Sequence, residues 1–197
     1  MPALPQEFYQ RDATTVARDL LGKLLTNQTA AEVTAGQIVE TEAYLGSRDP
    51  ASHAFRGQTP RTAVMFGPAG RAYVYFTYGM HYCFNAVTGP EGVAEAVLIR
   101  ALEPVEGINL MRQRRGQADI RQLCSGPAKL VQALGITKTD SGVDLATGPL
   151  QILDLKSYAP ADIMAVPRIG IRQAAHLPLR FLLKGNTFVS KPPPRGV

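Results

Sequence analysis

The chain contains no tryptophan, only two cysteines and three histidines in 197 residues. Cys83 and Cys124 have no Cys-x-x-Cys partner, which excludes a zinc site or iron–sulfur cluster built on cysteine and leaves two reduced, buried thiols as the expectation. His53, His81 and His176 are scattered without ligand spacing, so neither a metal nor a cofactor is expected. No apolar run approaches the length of a bilayer span, and the N-terminus lacks a basic-then-apolar leader, so the expected location is the cytoplasm. Internal repeats and linkers are missing too. The length suits one domain over 1–197, with 1–12 and 191–197 irregular or frayed. Acidic residues are the scarcer charge: 16 against 21 Lys and Arg, for a net +5 and a sequence pI of about 9.4. The surplus is Arg, which favours bidentate phosphate contacts and hence a polyanionic partner.

Against these absences stands one dense stretch, Gln37-Ile38-Val39-Glu40-Thr41-Glu42-Ala43-Tyr44. Its β-branched residues and alternation predict a strand. With a period of two, Glu40, Glu42 and Tyr44 share one face, while Val39, Thr41, Ala43 and Leu45 share the other. The second face belongs to a core. The first carries two carboxylates in a half-buried segment, where each must be solvated, paired or used. A solvated outer face of an edge strand is the plain alternative.

Other elements follow from local signals. Residues 14–25 have apolar residues at helical spacing, with Asp12 or Thr14 as N-cap. Asp49-Pro50 and Thr59-Pro60 look like helix starts, the first leading to a short helix that carries His53. Residues 71–77 and 82–87 form a hairpin whose tip, Tyr78-Gly79-Met80-His81, is unusual in carrying an aromatic and a methionine. A strand is expected over 93–101, then a helix opened by Glu103-Pro104 and ending near Arg112, Arg114 and Arg115. Residues 117–123 are expected to be a surface segment. A helix capped by Ser125-Gly126-Pro127 should stop at Gly135. Short strands are expected over 149–153, 168–171 and 179–183. Successive strands joined by hairpins give a largely antiparallel, curved sheet surrounded by helices, the α+β class.

Glu42, Tyr44, His53, Tyr73, Tyr75, Tyr78, Asn85 and Arg100 together suit a flat heteroaromatic ligand, because aromatic faces stack on any base for roughly 1–3 kcal/mol. The tyrosines also have an ordinary explanation in β-propensity, and His53 in a satisfied structural role. The runs Glu40-Thr41-Glu42-Ala43-Tyr44-Leu45-Gly46, Tyr73-Val74-Tyr75, Tyr78-Gly79-Met80, Leu98-Ile99-Arg100-Ala101-Leu102-Glu103-Pro104 and Leu123-Cys124-Ser125-Gly126-Pro127 closely resemble the 3-methyladenine (alkyladenine) DNA glycosylases. The match runs in order from about 15 to 185. Two departures are His81 after Met80, where the family pattern has an aromatic, and a short 172–179 segment without tryptophan.

The resemblance implies a monofunctional base-excision repair enzyme that flips alkylated or deaminated purines from duplex DNA and hydrolyses the N-glycosidic bond. It implies Glu42 as the base that activates water and Arg100 as its partner. Tyr44, His53 and Tyr75 would wall the base pocket, and Asn85 would crowd the 2-amino group of guanine. Tyr78, with Met80, would fill the gap in the stack. Thr59, Arg61, Ser125 and Gly126 would meet the DNA backbone. Double-stranded DNA is the implied partner, with a nucleoid-associated monomer and no cofactor. Two other readings stay open. Glu40 and Glu42, roughly 6–7 Å apart by strand geometry, would also serve hydrolysis of a free nucleoside or sugar. Basic charge with aromatics fits a non-catalytic nucleic-acid-binding module as well.

Overall fold

β2 (Val33–Tyr44) pairs with β5 (Glu95–Glu106) on one edge and is shared between two strands on the other. In the computed structural model, which describes residues 1–77 and 79–193, its first half meets β1 (Leu24–Gln28). Its second half meets β8 (Arg180–Leu183). The path continues from β5 to β4 (His81–Thr88) and β3 (Ala72–Thr77), and from β1 to β6 (Leu150–Leu153), while β7 (Ile163–Val166) pairs with β8. All of these pairings are antiparallel, and the eight-stranded sheet does not close. Among the described residues, no helix is long and apolar enough to cross a membrane.

The apolar face of β2 is covered by α2 (Ala13–Asp19), whose Val16 and Ala17 are fully buried. Thr41, on that face, satisfies its hydroxyl by donating to the Ala17 carbonyl at 2.8 Å. Asp12 provides the cap, accepting from the Thr15 N–H at 3.0 Å. Leu130, Val131, Ala133 and Leu134 of α5 (Pro127–Leu134) join the same core. Each such side chain contributes about 1.5–3 kcal/mol through the apolar surface it removes from water.

The other face of the sheet carries the candidate site, and the register explains how. Opposed residues of paired strands lie on one face. Tyr73 opposes Asn85, Asn85 opposes Leu98, Leu98 opposes Glu42, and Glu42 opposes Arg180. A single row thus crosses five strands. One step along, the β2–β5 ladder shifts between Ile38 and Glu40 and again between Glu40 and Thr41, leaving Val39 and Arg100 unpaired across it. Such bulges re-aim side chains. Here the second one frees Arg100 to meet both carboxylates.

The fold agrees with the expected single α+β domain and corrects several of its elements. The lead-in is not irregular throughout: α1 (Gln6–Tyr9) seats Tyr9 in the core. The first amphipathic helix ends at Asp19 rather than near residue 25, and β1 follows. Asp49-Pro50 starts no α-helix. The Asp49 side chain is taken by Arg168, and residues 50–56 form turns. After Thr59-Pro60 there is a 3-10 turn, Ala63–Phe66. Glu103-Pro104 does not open a helix either, because β5 continues pairing with β2 to Glu106 and α3 (Ile108–Arg115) begins only after Gly107. The surface segment contains α4 (Ile120–Leu123), with Leu123 buried. Residues 168–171 are a loop, and the strand lies earlier, at β7. Arg112, Arg114 and Arg115 are engaged locally, with Asn109, Glu32 and Gln132 respectively. Tyr78 and residues 194–197 of the expected frayed tail lie outside the described residues.

Candidate active site

Alternate residues of four strands open onto one cavity of about 180 Å³. Tyr73, Tyr75 and Thr77 come from β3, Cys83 and Asn85 from β4, Ala96, Leu98 and Arg100 from β5, and Tyr44 from the end of β2. Residues 51–53, Met65, Pro127 and the loop residues 169–171 complete its rim. The volume is below the ~300 Å³ at which drug-sized pockets begin, so a single flat ring system is the scale of ligand it takes.

The walls are aromatic. Tyr73 and Tyr75 stack with centroids 5.3 Å apart, and His53 stands edge-on to Tyr75 at 4.5 Å. Nδ1 of His53 lies 3.1 Å from the Tyr73 hydroxyl. His53 keeps an exposed side, yet partial burial and then the nearby Arg61 cation hold the imidazole below its usual pKa, which favours the neutral ring. Asn85 donates to the Tyr73 carbonyl at 3.2 Å, which fixes the orientation of its amide.

Behind this wall sit the two carboxylates, both fully buried. Glu40 accepts from Arg100 Nε at 3.1 Å, from Arg180 at 2.9 Å, and from the backbone N–H and hydroxyl of Ser190. That many donors make it a fixed counterion, not a solvated group. Glu42 has fewer partners. Its Oε1 accepts from the Ile169 N–H at 2.8 Å and lies 3.3 Å from Arg100 Nη1, and its Oε2 accepts from the Tyr44 hydroxyl at 2.9 Å. A carboxylate has about four acceptor positions, so roughly one stays open. Glu42 does not itself line the cavity: Tyr44, Arg100 and Ile169, which do, lie against it.

Arg100 attracts the ionised form of Glu42. Burial is nevertheless the larger influence and lifts the carboxyl above the usual range, while Arg100, the Ile169 N–H and the Tyr44 O–H pull it down without cancelling the rise. Burial likewise raises the phenols of Tyr44 and Tyr75 and the Cys83 thiol, so all three stay protonated.

None of the remaining sequence candidates among the described residues lines the cavity. Arg61 is exposed, with its guanidinium 5.3 Å from the Tyr75 ring centre. Met80, at the hairpin tip, is 69% exposed. Thr59 is tied to Thr62, hydroxyl to hydroxyl at 3.0 Å. Gly126 caps α5 beside Ser125, whose hydroxyl accepts from Lys129 at 3.2 Å. A second hollow, bordered by His81, Arg115 and Lys129, shares Thr77, Cys83 and Pro127 with the first. Sequence reading missed Ile169, Arg168, Arg180 and Ser190, which arrive from distant loops and the last strand. Met65 was missed as well, whereas Tyr73, which shares a face with Tyr75, belonged to the aromatic set but had no role assigned.

The site is thus a ring-lined cavity of base size, with a buried carboxylate behind its wall and the Arg61 guanidinium beside the Tyr75 ring. The chain belongs to the Methylpurine-DNA glycosylase (MPG) family, whose pattern it matches over residues 7–187. Relatives named "Putative 3-methyladenine DNA glycosylase" include one from Methanoculleus marisnigri, 56% identical over 191 residues, covering 95% of this chain and 98% of the relative. Another, from Carboxydothermus hydrogenoformans, is 54% identical over 189 residues, covering 95% and 98%. A third, from Burkholderia lata, is 53% identical over 192 residues, covering 96% and 91%. The protein is thus a DNA glycosylase of the 3-methyladenine type, with DNA as substrate and a place in base-excision repair of alkylation damage.

Proposed function

We propose that the enzyme everts a damaged purine into the cavity between Tyr44, His53 and Tyr75, and that Glu42 activates the water that cleaves it from the sugar. The observation that carries this reading is the buried Glu42 carboxylate, held by Arg100, Tyr44 and Ile169, all three of which line the base-sized cavity in front of it. A base inside a duplex is out of reach of any side chain, so eversion must precede chemistry, the handling expected of glycosylases in general.

The bond from C1′ to the purine nitrogen breaks with its electron pair leaving on the base, and positive charge develops on the sugar. Ionised Glu42 stabilises that charge and accepts a proton as the water oxygen bonds to C1′. Arg100, anchored on Glu40, holds water and carboxylate in register. An alkylated purine carries positive charge, leaves as a neutral base, and gains a cation–π term of about 0.5–2 kcal/mol from the aromatic walls. Asn85 crowds the 2-amino group of guanine and so protects the normal base. Neutral His53 is available as a hydrogen-bonding partner for the ring.

No lysine lines the cavity among the described residues, and Lys129 is engaged with Gln122 and Ser125. The reaction therefore stops at an abasic site, without a Schiff base or strand nicking. Tyr78, outside the described residues, acts with exposed Met80 as the wedge that replaces the everted nucleotide. Thr59, Arg61, Ser125 and Gly126 meet the backbone, and the enzyme acts as a monomer on nucleoid DNA.

A panel of duplexes, each with one modified purine, followed by heat and alkali, tests this reading. We expect alkali-dependent breaks at 3-methyladenine, hypoxanthine or etheno-adenine and none without alkali. Breaks before alkali, or equal release from free modified nucleosides, would contradict it.

A further inference from the structure

The N–H that Ile169 gives to Glu42 comes from a loop, and a loop amide holds a fixed direction only if something fixes the loop. The neighbouring residue does so. Arg168 is fully buried, with its two terminal nitrogens on the Asp49 carboxylate, one of them at 2.9 Å. The nitrogen that bonds the other Asp49 oxygen also donates to the Ala43 carbonyl at 2.9 Å. Its guanidinium carbon lies 4.7 Å from the centre of the Tyr44 ring. Asp49 in turn accepts from the backbone N–H groups of Ala51 at 3.0 Å and Leu45 at 3.3 Å. One ion pair therefore joins three segments: the end of β2, the turns that lead to His53, and the loop that carries Ile169.

We infer that Arg168, locked on Asp49, is a positioning residue for base release, acting through the Ile169 N–H and the Tyr44 ring to set how Glu42 is held. This inference rests on the proposed role of Glu42. Arg168 lines no part of the cavity. Its influence passes through two of Glu42's hydrogen bonds, both of which favour the ionised carboxylate. The pair is also costly to keep. Two buried charges pay desolvation that apolar residues of similar volume would avoid, so a purely structural reason for it is weak. A bidentate fork gives directional control that packing alone does not.

The ionisable groups around Glu42 are Glu40 and Tyr44 on its own strand, Arg100 on β5, Tyr75 on β3 and Cys83 on β4. Arg180 of β8 is bonded to Glu40 and Arg168 faces Tyr44. Arg168→Lys leaves every one of these groups in the sequence, keeps the charge at 168 and removes only the fork.

The test is single-turnover base release at saturating enzyme as a function of pH, for Arg168→Lys and Asp49→Asn. Both should slow release about ten- to a hundredfold, the scale for displacing a catalytic group by ångström amounts. Both should also move the acid limb of the profile to higher pH, because a weakened Ile169 N–H bond favours the protonated carboxyl. DNA affinity should stay within about twofold. The double variant should lose no more than the worse single one, since the two residues act as one unit. Amide exchange at Ile169 should quicken in either variant relative to the core amides of β2 and β5, a comparison that separates loosening of this loop from a general loss of stability. An acid limb that stays at the wild-type pH, or an Ile169 amide equally protected, would overturn the inference. An inactive Glu42→Gln enzyme beside such a result leaves the site reading standing. A fully active Glu42→Gln enzyme would remove that reading, and this inference with it.

Discussion

Glu42 is a carboxylate kept against the preference of its surroundings. Burial lifts its pKa, and three donors only partly restore the ionised form. Two consequences carry opposite signs. As the active base it must be deprotonated, so base release should fall on acidification with a midpoint above the ordinary glutamate range. For stability, a carboxyl whose folded pKa is raised favours the fold while protonated, and this contribution is present below the unfolded pKa and lost as pH rises through the folded one. Glu42→Gln, neutral at every pH, should therefore melt no lower than wild type at neutral pH, an outcome calorimetry checks. A clear drop in Tm would mean that the ion pair with Arg100 outweighs burial. Function held at a cost to stability is common at active sites. At this scale the sequence was informative within each strand: a period of two puts Glu42 with Tyr44 and Tyr73 with Tyr75, while the register and bulge that bring Asn85 and Arg100 to the same site are set across strands. Ile169 could not be placed, because it contributes only a backbone N–H, which leaves no trace in residue type.

Among the elements, those with strong local signals formed where expected. The β3–β4 hairpin follows from alternation, and α5 from Pro at its first position and Gly just past its end. The errors share one cause, a local start signal overridden by a distant partner. Glu103-Pro104 lies opposite Gln37 and Gly36, and the β2 ladder holds it extended despite the proline. Asp49 would have capped a helix, but Arg168, 119 residues away, takes its carboxylate. Gly107 is what lets β5 end and α3 begin. Its φ is 71°, and an added Cβ would collide with the Val33 carbonyl and the Thr34 side chain. Gly107→Ala should cost at least about 1–2 kcal/mol, read as a lower denaturant midpoint with an unchanged slope. A midpoint within error of wild type would show that this turn is not under the strain its geometry implies.

At the scale of the whole molecule, one antiparallel sheet separates two tasks. One face packs on α2 as core, and the other gathers residues from five strands into the site. The net charge of +5, with Arg61 beside Tyr75 and with Arg115 and Lys129 on the adjoining hollow, suits a partner with regular phosphates. Binding to duplex DNA should weaken linearly in a plot of log K against log salt, with a slope of about −0.9 for each phosphate neutralised. A flat plot would remove the phosphate-tracking surface while leaving the pocket chemistry untouched.

The most direct measurement is single-turnover release of one alkylated purine from duplex DNA by Glu42→Gln, with binding to the same duplex followed in parallel. The expected result is a loss of at least about a hundredfold in release, the low end for removing a general base, with affinity for the lesion duplex unchanged. Release at the wild-type rate by a folded Glu42→Gln enzyme would contradict the account.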